Sequence, residues 1–374
     1  MAFSFRKLSK RFFITANVVI SLVFLLACLQ PWLNPETFWI ISFISLLLPY
    51  LVLLIVLFLV FWLIVKFPYA LLSVVTLLIG WKQVGVLFGT NRENFVVERT
   101  ADNNSFRIMS WNVMSLGGIG LNSREKKAEN VRRILDLIQK YDPDVVCMQE
   151  YGQYDYPKRD EDYTRSMKEA GYAYVVFSRD YTRAKYSFSN GLAIFSKSPI
   201  VYQKKVPFTS SPESMLYCDV VIGDDTARIF TAHLQSFKLI DRDFDNLDSN
   251  NPSKRDRVAA GLNIFRKMKR AFINRGSQID QIRPYMDQSP HPEIFCGDLN
   301  DVPGSYAYWQ LRGNERKDAF VEKGFGIGKT IDVIAPTLRI DYIFPDSRWE
   351  VQQFTEIPNE MSDHYPVVAD LQLR

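Results

Sequence analysis

The sequence predicts an α/β domain of the sandwich type preceded by a transmembrane helical region, and three observations predict it. Apolar runs dominate residues 1–90, and the stretch from Phe38 to Val65 carries no charge at all. Beyond residue 105, short strand-like runs outnumber helical patterns and only two long helices are evident. That favours packed sheets with flanking helices over a doubly wound parallel sheet. The strand-like runs also end repeatedly in Asp, Asn, Glu or His, where a buried strand would reach the surface.

The first apolar run, 12–30, follows Arg6, Lys7, Lys10 and Arg11. More hydrophobic sequence comes after it, which favours a retained span over a cleaved signal. A second helix over about 40–64 exceeds the roughly 20 residues needed to cross a bilayer, and Pro49 is tolerable within it. Residues 67–88, interrupted by Trp81 and Lys82, supply a third and weaker span. The basic start favours a cytoplasmic N-terminus. Three spans then place the soluble part of the chain on the extracytoplasmic side, whereas two would leave it inside. Residues 91–105, ending in Asp102-Asn103-Asn104-Ser105, read as a linker to a soluble domain over 106–374.

The formal charge of +4 is unevenly divided. Residues 1–100 hold eight Lys/Arg against three Glu, which leaves 37 basic and 38 acidic residues in 101–374. A nearly neutral domain lacks the broad positive field of a dedicated duplex-DNA binder. The four cysteines, Cys28, Cys147, Cys218 and Cys296, form no CxxC pair and read as buried thiols rather than a zinc site.

The soluble domain opens with the alternating strand Phe106–Val113, then a turn containing Gly117, Gly118 and Gly120. Ser123 is a candidate N-cap for a helix to about Lys140, with Val131, Ile134, Leu135 and Ile138 on one face. Val145–Met148 is a continuous apolar strand ending in Gln149-Glu150. Ser189–Lys197 and Leu216–Ile222 have hairpin character, and Arg228–Ala232 closes on His233. A polar, acidic loop over 237–253 leads to a basic helix from about Lys254 to Asn274. Such a charge run is more often a solvated face, the alternative being a docking surface for lipid phosphates or nucleic acid. The run Glu293–Cys296 breaks off in Gly297-Asp298-Leu299-Asn300-Asp301, Asp341 interrupts the strand Arg339–Phe344, and Asp363-His364 precedes the last strand. Gly324–Thr330 imitates a phosphate-binding loop. Lys323 stands where its first glycine belongs, so a turn is the better reading.

Asn112, Glu150, His233, Asp298, Asn300, Asp341, Asp363 and His364 therefore form the candidate constellation, while His291, between prolines, reads as a loop residue. Its metal-capable groups are mainly oxygens, which suit Mg²⁺ or Mn²⁺ rather than zinc. A divalent ion would neutralise clustered carboxylates and polarise a phosphoryl oxygen. No G-x-S-x-G elbow is present, so a serine hydrolase lacks its signature.

The ordered set Ser-Trp-Asn112, Gln-Glu150, Thr-Ala-His233-Leu, Gly-Asp298-Leu-Asn300, Ile-Asp341-Tyr and Ser-Asp363-His364 resembles the endonuclease/exonuclease/phosphatase family, with its DNase I-like fold. The likeness spans about Phe106 to Arg374. It is strongest to membrane-attached bacterial members, which share Pro303-Gly304-Ser305-Tyr306 and Arg339-Ile340-Asp341. The resemblance implies a four-layered α/β sandwich and Mg²⁺-dependent cleavage of phosphate esters at a bacterial inner membrane. It further implies Asn112, Glu150 and Asp363 near the metal, and Asp298 and Asn300 holding the attacking water. By the same resemblance His364, held by Asp341, is a general base or a phosphate-stabilising cation. His233 contacts the phosphate and protonates the leaving oxygen, and Asn190 is a lesser substrate contact. Whether Asp298 or His364 takes the water's proton stays open, as does nucleic acid against a lipid or small phosphoester. No aromatic hairpin of the kind used by secreted sphingomyelinases is evident. The alternative class is an inactive, membrane-tethered scaffold on the same fold.

Overall fold

The computed structural model describes residues 2–99, 105–116, 124–155, 162–209, 211–239, 243, 254–332 and 337–374. The glycine turn after Asn112, the Ser123 cap, and most of the linker end and the acidic loop lie outside these residues. The N-terminal part holds α1 (Ala2–Ala27), α2 (Pro35–Ser45), α3 (Leu48–Val65), α4 (Ala70–Ile79) and the short α5 (Trp81–Gly85). Among the described residues two helical stretches, Lys7–Trp32 and Leu48–Val65, are long and apolar enough to cross a membrane, their most apolar 18-residue windows having mean hydropathy 2.6 and 3.0. Most of their surface faces outward, including Leu53, Leu57, Leu63 and Ile64.

The uncharged run is not one helix over 40–64. Pro49 lies in the first turn of α3, where a fixed φ and a missing N–H suit a helix start. α2 is thereby separated and lies on the soluble domain. α4 alone is about 15 Å long, too short for a span. It nonetheless runs back along α1. At its start Lys10 and Lys66 stand over the Tyr69 ring at 5.0 and 5.6 Å. Midway Asn17 Nδ2 donates to Ser73 Oγ at 3.2 Å. At its end a Cβ on Gly80 would collide with the Phe24 ring.

The remaining elements are β1 (Gly89–Thr90), β2 (Phe106–Asn112), α6 (Arg124–Tyr141), β3 (Val145–Tyr154), α7 (Tyr163–Glu169), β4 (Tyr174–Phe177), β5 (Tyr181–Arg183), β6 (Phe188–Ser196), β7 (Ile200–Pro207), β8 (Ser214–Ile222) and β9 (Asp225–His233). They continue with α8 (Lys254–Asp287), β10 (Glu293–Asp298), α9 (Tyr306–Arg312), α10 (Ala319–Lys323), β11 (Phe325–Gly326), β12 (Asp341–Pro345), β13 (Trp349–Glu356) and β14 (Val367–Leu373). One sheet runs β12-β10-β9-β8-β7 and the other β13-β14-β2-β3-β6-β4, with β5 also on β6. The hairpin character of Leu216–Ile222 is realised with β9, while Ser189–Lys197 belongs to the opposite sheet.

Four layers follow from strand alternation. Ile108, Cys147 and Ile194 of one sheet meet Cys218, Ile229, Cys296 and Ile343 of the other in the central core. Met109, Trp111, Val146 and Met148 face outward onto Val131, Ile134 and Ile138 of α6 and Met167 of α7. Phe230, Phe295 and Phe344 face outward onto Ile279, Ile282 and Met286 of α8 and Tyr308 of α9. That second contact explains why α8 runs on to Asp287, beyond the expected Asn274. All four cysteines are free, three of them fully buried, and burial pushes the Cys147 and Cys218 thiols well up.

Residues 91–99 are not a free tether. Asn91 N bonds Gly324 O, Val96 N donates to Gln353 Oε1 at 2.8 Å, and Arg99 forms a two-pronged pair with Asp144. The buried Arg107 guanidinium gathers the carbonyls of Val96, Val97 and Tyr141 together with Asp370.

Candidate active site

At one end of both sheets the inward stripe turns from apolar to polar. In β2 it runs from Phe106 and Ile108 through Ser110 to Asn112; in β9 from Ile229 through Thr231 to His233. In β10 it runs from Ile294 and Cys296 to Asp298, and β12 begins with Asp341 before Ile343. His233, Asp298 and Asp341 are register partners on three adjacent strands. Buried Gln149 separates this row from the core, donating to Ser110 Oγ at 3.1 Å and Thr231 Oγ1 at 3.0 Å across the two sheets.

Alternation alone would aim Glu150 away from the row. The β3–β6 ladder shifts register between Met148 and Tyr151, and Glu150 takes φ 51°. A non-glycine residue in that region carries strain of about 1–3 kcal/mol. The bulge turns the carboxylate inward, placing Oε1 3.4 Å from Asn112 Nδ2 and 3.7 Å from His233 Nε2. Asn300 is likewise left-handed at φ 49°. Its N–H donates to Asp298 Oδ1 at 2.7 Å, its Nδ2 to Leu234 O at 3.0 Å, and its carbonyl accepts from the buried Arg275.

Asp298 is the focus of the site. Its Oδ2 lies 3.1 Å from Asn112 Nδ2, 3.6 Å from His233 Nε2 and 3.7 Å from His364 Nε2. His364 is clamped from behind, with Nδ1 3.1 Å from Asp341 Oδ2. Burial alone would lower the His364 pKa, but Asp341 and then Asp298 outweigh it and raise it to about 10. Burial, reinforced by the Asp298 charge and opposed by His364, raises Asp341 to about 6. Between those values the pair is imidazolium and carboxylate. Thr330 Oγ1 accepts the N–H groups of Ile340 and Asp341, at 3.0 and 3.2 Å. Ser362 Oγ donates to Asn112 O at 2.8 Å and accepts from His364 N at 3.2 Å.

Seven of the eight constellation residues thus converge. Asp363 is the exception: its side-chain contact is Ser362 Oγ at 3.3 Å, and it adds charge beside His364. Asn190 lies at the edge, donating to Glu150 O at 3.1 Å and Ser115 Oγ at 2.7 Å. His291 is in a loop, 3.8 Å from Asp219.

Two carboxylate groupings bear on metal binding. Asp298, Asp341 and His364 bring one donor atom each within 4.8 Å, with His364 Nδ1 already facing Asp341. The other, Glu150 with Asp298 across Asn112, offers hard oxygen donors that fit a divalent cation. Asn112 Oδ1 caps Met114 N at 3.1 Å while its Nδ2 faces the carboxylates. In this arrangement the amide fastens the pair, and exchanging its two ends would turn Oδ1 toward Glu150.

From Glu150 and His233 a cleft of about 690 Å³ opens, lined by Tyr154, Tyr181 and Phe188 and by Lys127, Arg183 and Lys238. These are what residue patterns miss. The aromatic wall comes from three separated segments, with Tyr154 and Phe188 in edge contact at 5.1 Å. Thr330 was available to sequence reading within the Gly324–Thr330 stretch, whose loop imitation concealed its role beside Asp341. Directly after Thr330, Ile331 bridges to His364.

The sequence profile of the endonuclease/exonuclease/phosphatase family matches residues 109–364, and that of a domain of unknown function (DUF8431) matches residues 10–87. Among solved structures, an endonuclease/exonuclease/phosphatase from Beutenbergia cavernae is 21% identical at a TM-score of 0.50, covering 72% of each chain. The human Nocturnin catalytic domain is 16% identical at 0.51, over 72% of this chain and 94% of that one. A humanized D. rerio TDP2 is 17% identical at 0.50, over 72% and 99%. A search of curated proteins finds no match.

Proposed function

The chain belongs to the endonuclease/exonuclease/phosphatase family, and from that premise we propose that it is a membrane-anchored, Mg²⁺-dependent hydrolase of phosphate esters. The convergence of Asn112, His233 and His364 on one oxygen of a buried Asp298, beside the turned-in Glu150, is the observation that carries the reading. A divalent ion held by Glu150, with Asn112 nearby, would polarise the phosphoryl oxygen and lower the charge barrier to attack.

The protein's own groups divide the rest. Asp298 and Asn300 hold the attacking water, and Asp298 accepts its proton. His364 retains its proton at neutral pH, so it acts as a cation facing the phosphoryl charge rather than as the base. Asp341 fixes its ring and Thr330 fixes Asp341. His233, at the mouth of the cleft, contacts the phosphate and delivers a proton to the leaving oxygen. Asn190 supports the Glu150 backbone and edges the substrate. The basic and aromatic wall formed by Lys127, Arg183, Lys238, Tyr154, Tyr181 and Phe188 supports a substrate with anionic and flat or apolar parts.

The anchoring rests on α1 and α3, with α4 returning beside them as a third pass. Lys10 and Lys66 share the end remote from the catalytic domain, which supports placing that domain on the extracytoplasmic side. The test is the purified full-length chain with Mg²⁺, Mn²⁺ or EDTA against plasmid DNA, RNA, bis-phenyl phosphate and phospholipids. Metal-dependent turnover of at least one class is expected. Turnover of none with any metal would return the chain to the scaffold class.

A further inference from the structure

α8 is 34 residues long, and its two halves have different surroundings. Its C-terminal part packs against the five-stranded sheet through Ile279, Ile282 and Met286. The half before that stands off the sheet and leaves Val258, Leu262 and Phe265 exposed at 55%, 48% and 39%. On a helix of 3.6 residues per turn, positions 258, 262, 265, 269, 272, 276 and 280 lie within about 40° of one line. The C-terminal part of that line meets α2. Asp280 accepts from Asn34 Nδ2 at 2.8 Å, a Cβ on Gly276 would lie 3.2 Å from Pro35, and Lys269 stands 4.2 Å over the Trp39 ring. Phe265 stacks on Phe43 at 4.9 Å. The line then runs past the end of α2 through Leu262 and Val258, where among the described residues no side chain covers it.

The setting names the occupant. α2 joins the two bilayer-length helices, so it lies at the level where both leave the membrane, and it exposes Phe38 and Ile40, with Leu47 exposed just past its end. The apolar line of α8 is therefore continuous with a surface already at the lipid boundary. Arg257, Arg266 and Arg270 are exposed beside it, and Asp256 is the one acidic residue between 254 and 279. An apolar stripe bordered by arginines, at the level of the headgroups, matches an interfacial amphipathic helix. Basic side chains there are attracted to anionic lipid.

We propose that the N-terminal half of α8 rests on the headgroup layer of anionic phospholipids, with Val258, Leu262 and Phe265 entering the acyl boundary. The inference depends on α1 and α3 being inserted. It goes further in fixing the face of the catalytic domain that meets the lipid and the lipid charge it selects. A phosphoester substrate carried by that membrane would then approach the cleft along the surface.

The test is spin-label depth in nanodiscs of phosphatidylcholine with and without phosphatidylglycerol. The full-length chain carries a single label at Leu262→Cys, Leu57→Cys or Asp224→Cys, in a Cys28→Ser background. Leu57 lies on the outward face of α3 and Asp224 in an exposed turn. Leu262 is expected to show a several-fold higher ratio of oxygen to nickel-chelate accessibility than Asp224, though lower than Leu57. That ratio should rise with phosphatidylglycerol, and the rise should vanish in R257E/R266E/R270E. A lipid-embedded Leu57 with an aqueous Leu262 would overturn the docking alone. An aqueous Leu57 would overturn the anchoring as well. Equal Leu262 depth in both lipids would overturn the selection for anionic headgroups.

Discussion

The two halves of the site are built on opposite principles. On one side Asp298, Asp341 and His364 are sealed from solvent, and their side chains are at most 7% exposed. On the other, Glu150 is 35% exposed at the mouth of the cleft and is held there by a strained backbone. A sealed half has little water to exchange with, so its proton positions are set by neighbouring charge. An open half can admit an ion or a phosphate, and its orientation must come from the chain. Asp298 Oδ2 belongs to both halves, since it meets His364 on one side and Asn112 and His233 on the other.

Removing that shared group is therefore the severest way to break the comparison. Asp298→Ala deletes the focus for three donors and the proposed proton acceptor. Metal-dependent turnover should fall by about 10⁴-fold, the upper end for a positioned acid–base group. Stopped-flow or endpoint hydrolysis of a substrate identified in the panel assay checks this, and retention of a tenth of the activity would refute the assignment.

Glu150 separates function from stability. Glu150→Gly deletes the carboxylate while placing the residue best suited to φ 51° at the bulge. Turnover should drop by about 10³-fold if the carboxylate holds a catalytic ion, because such ions contribute several kcal/mol. The unfolding free energy should stay level or rise by about 1 kcal/mol, read from denaturant midpoints. A stability loss alongside the activity loss would mean that Glu150 serves the fold.

The sealed half is tested by pH. Asp341 is raised to about 6 by burial, with Asp298 adding to the rise. It is ionised above that value and protonated below it, so the clamp on the His364 imidazolium weakens as pH falls through about 6. The kcat/KM profile should show an acid limb there. Asp341→Asn should cost about 10–100-fold, the range for partners that orient a reacting group, and should abolish that limb. An unchanged limb in the variant would assign it elsewhere.

How much of this was legible in sequence follows the same division. Asp298, Asp341 and His364 stand out because a carboxylate or imidazole inside an apolar strand run is costly unless it has a partner. The four-layered fold is readable for a related reason, since alternation in β2, β9 and β10 separates two apolar faces. Glu150 is visible as the polar end of an apolar run, but the strand continues past it to Tyr154, its direction depends on a bulge, and no local pattern announces the slipped register. The division of 38–65 into α2 and α3 was signalled by Pro49 and by the two serines, Ser42 and Ser45, that make the first part less apolar than the second. The aromatic wall arises from tertiary pairing of Tyr154, Tyr181 and Phe188, which share no period. Linker composition also misled. The polar residues 91–99 are strapped down by long-range partners such as Gln353 and Arg107.

The smallest expected effect asks whether the helical region only tethers the sealed half or also supports it. α5 reaches both loops that carry its carboxylates. Gln83 Nε2 donates to Gly304 O at 3.4 Å and Gln83 Oε1 accepts from Trp309 Nε1 at 3.1 Å, beyond the Asp298–Asn300 loop. Val86 O accepts from Arg339 Nη2 at 2.6 Å, two residues before Asp341. A Cβ on Gly304 would lie 2.5 Å from Gln83 Oε1 and 2.7 Å from Leu48, so this loop fits closely against the helices. The Gly304 bond is long at 3.4 Å, so the two bonds together count as roughly one good buried hydrogen bond, about 1 kcal/mol, and Gln83→Ala is expected to cost about fivefold. The loss should fall on kcat rather than KM, because Gln83 touches loop backbone and not the cleft. It should also exceed the effect of Gln352→Ala, a half-buried position on β13 whose amide pairs with Gln372. Equal effects of the two substitutions would make the helices a tether and leave the sealed half self-supporting.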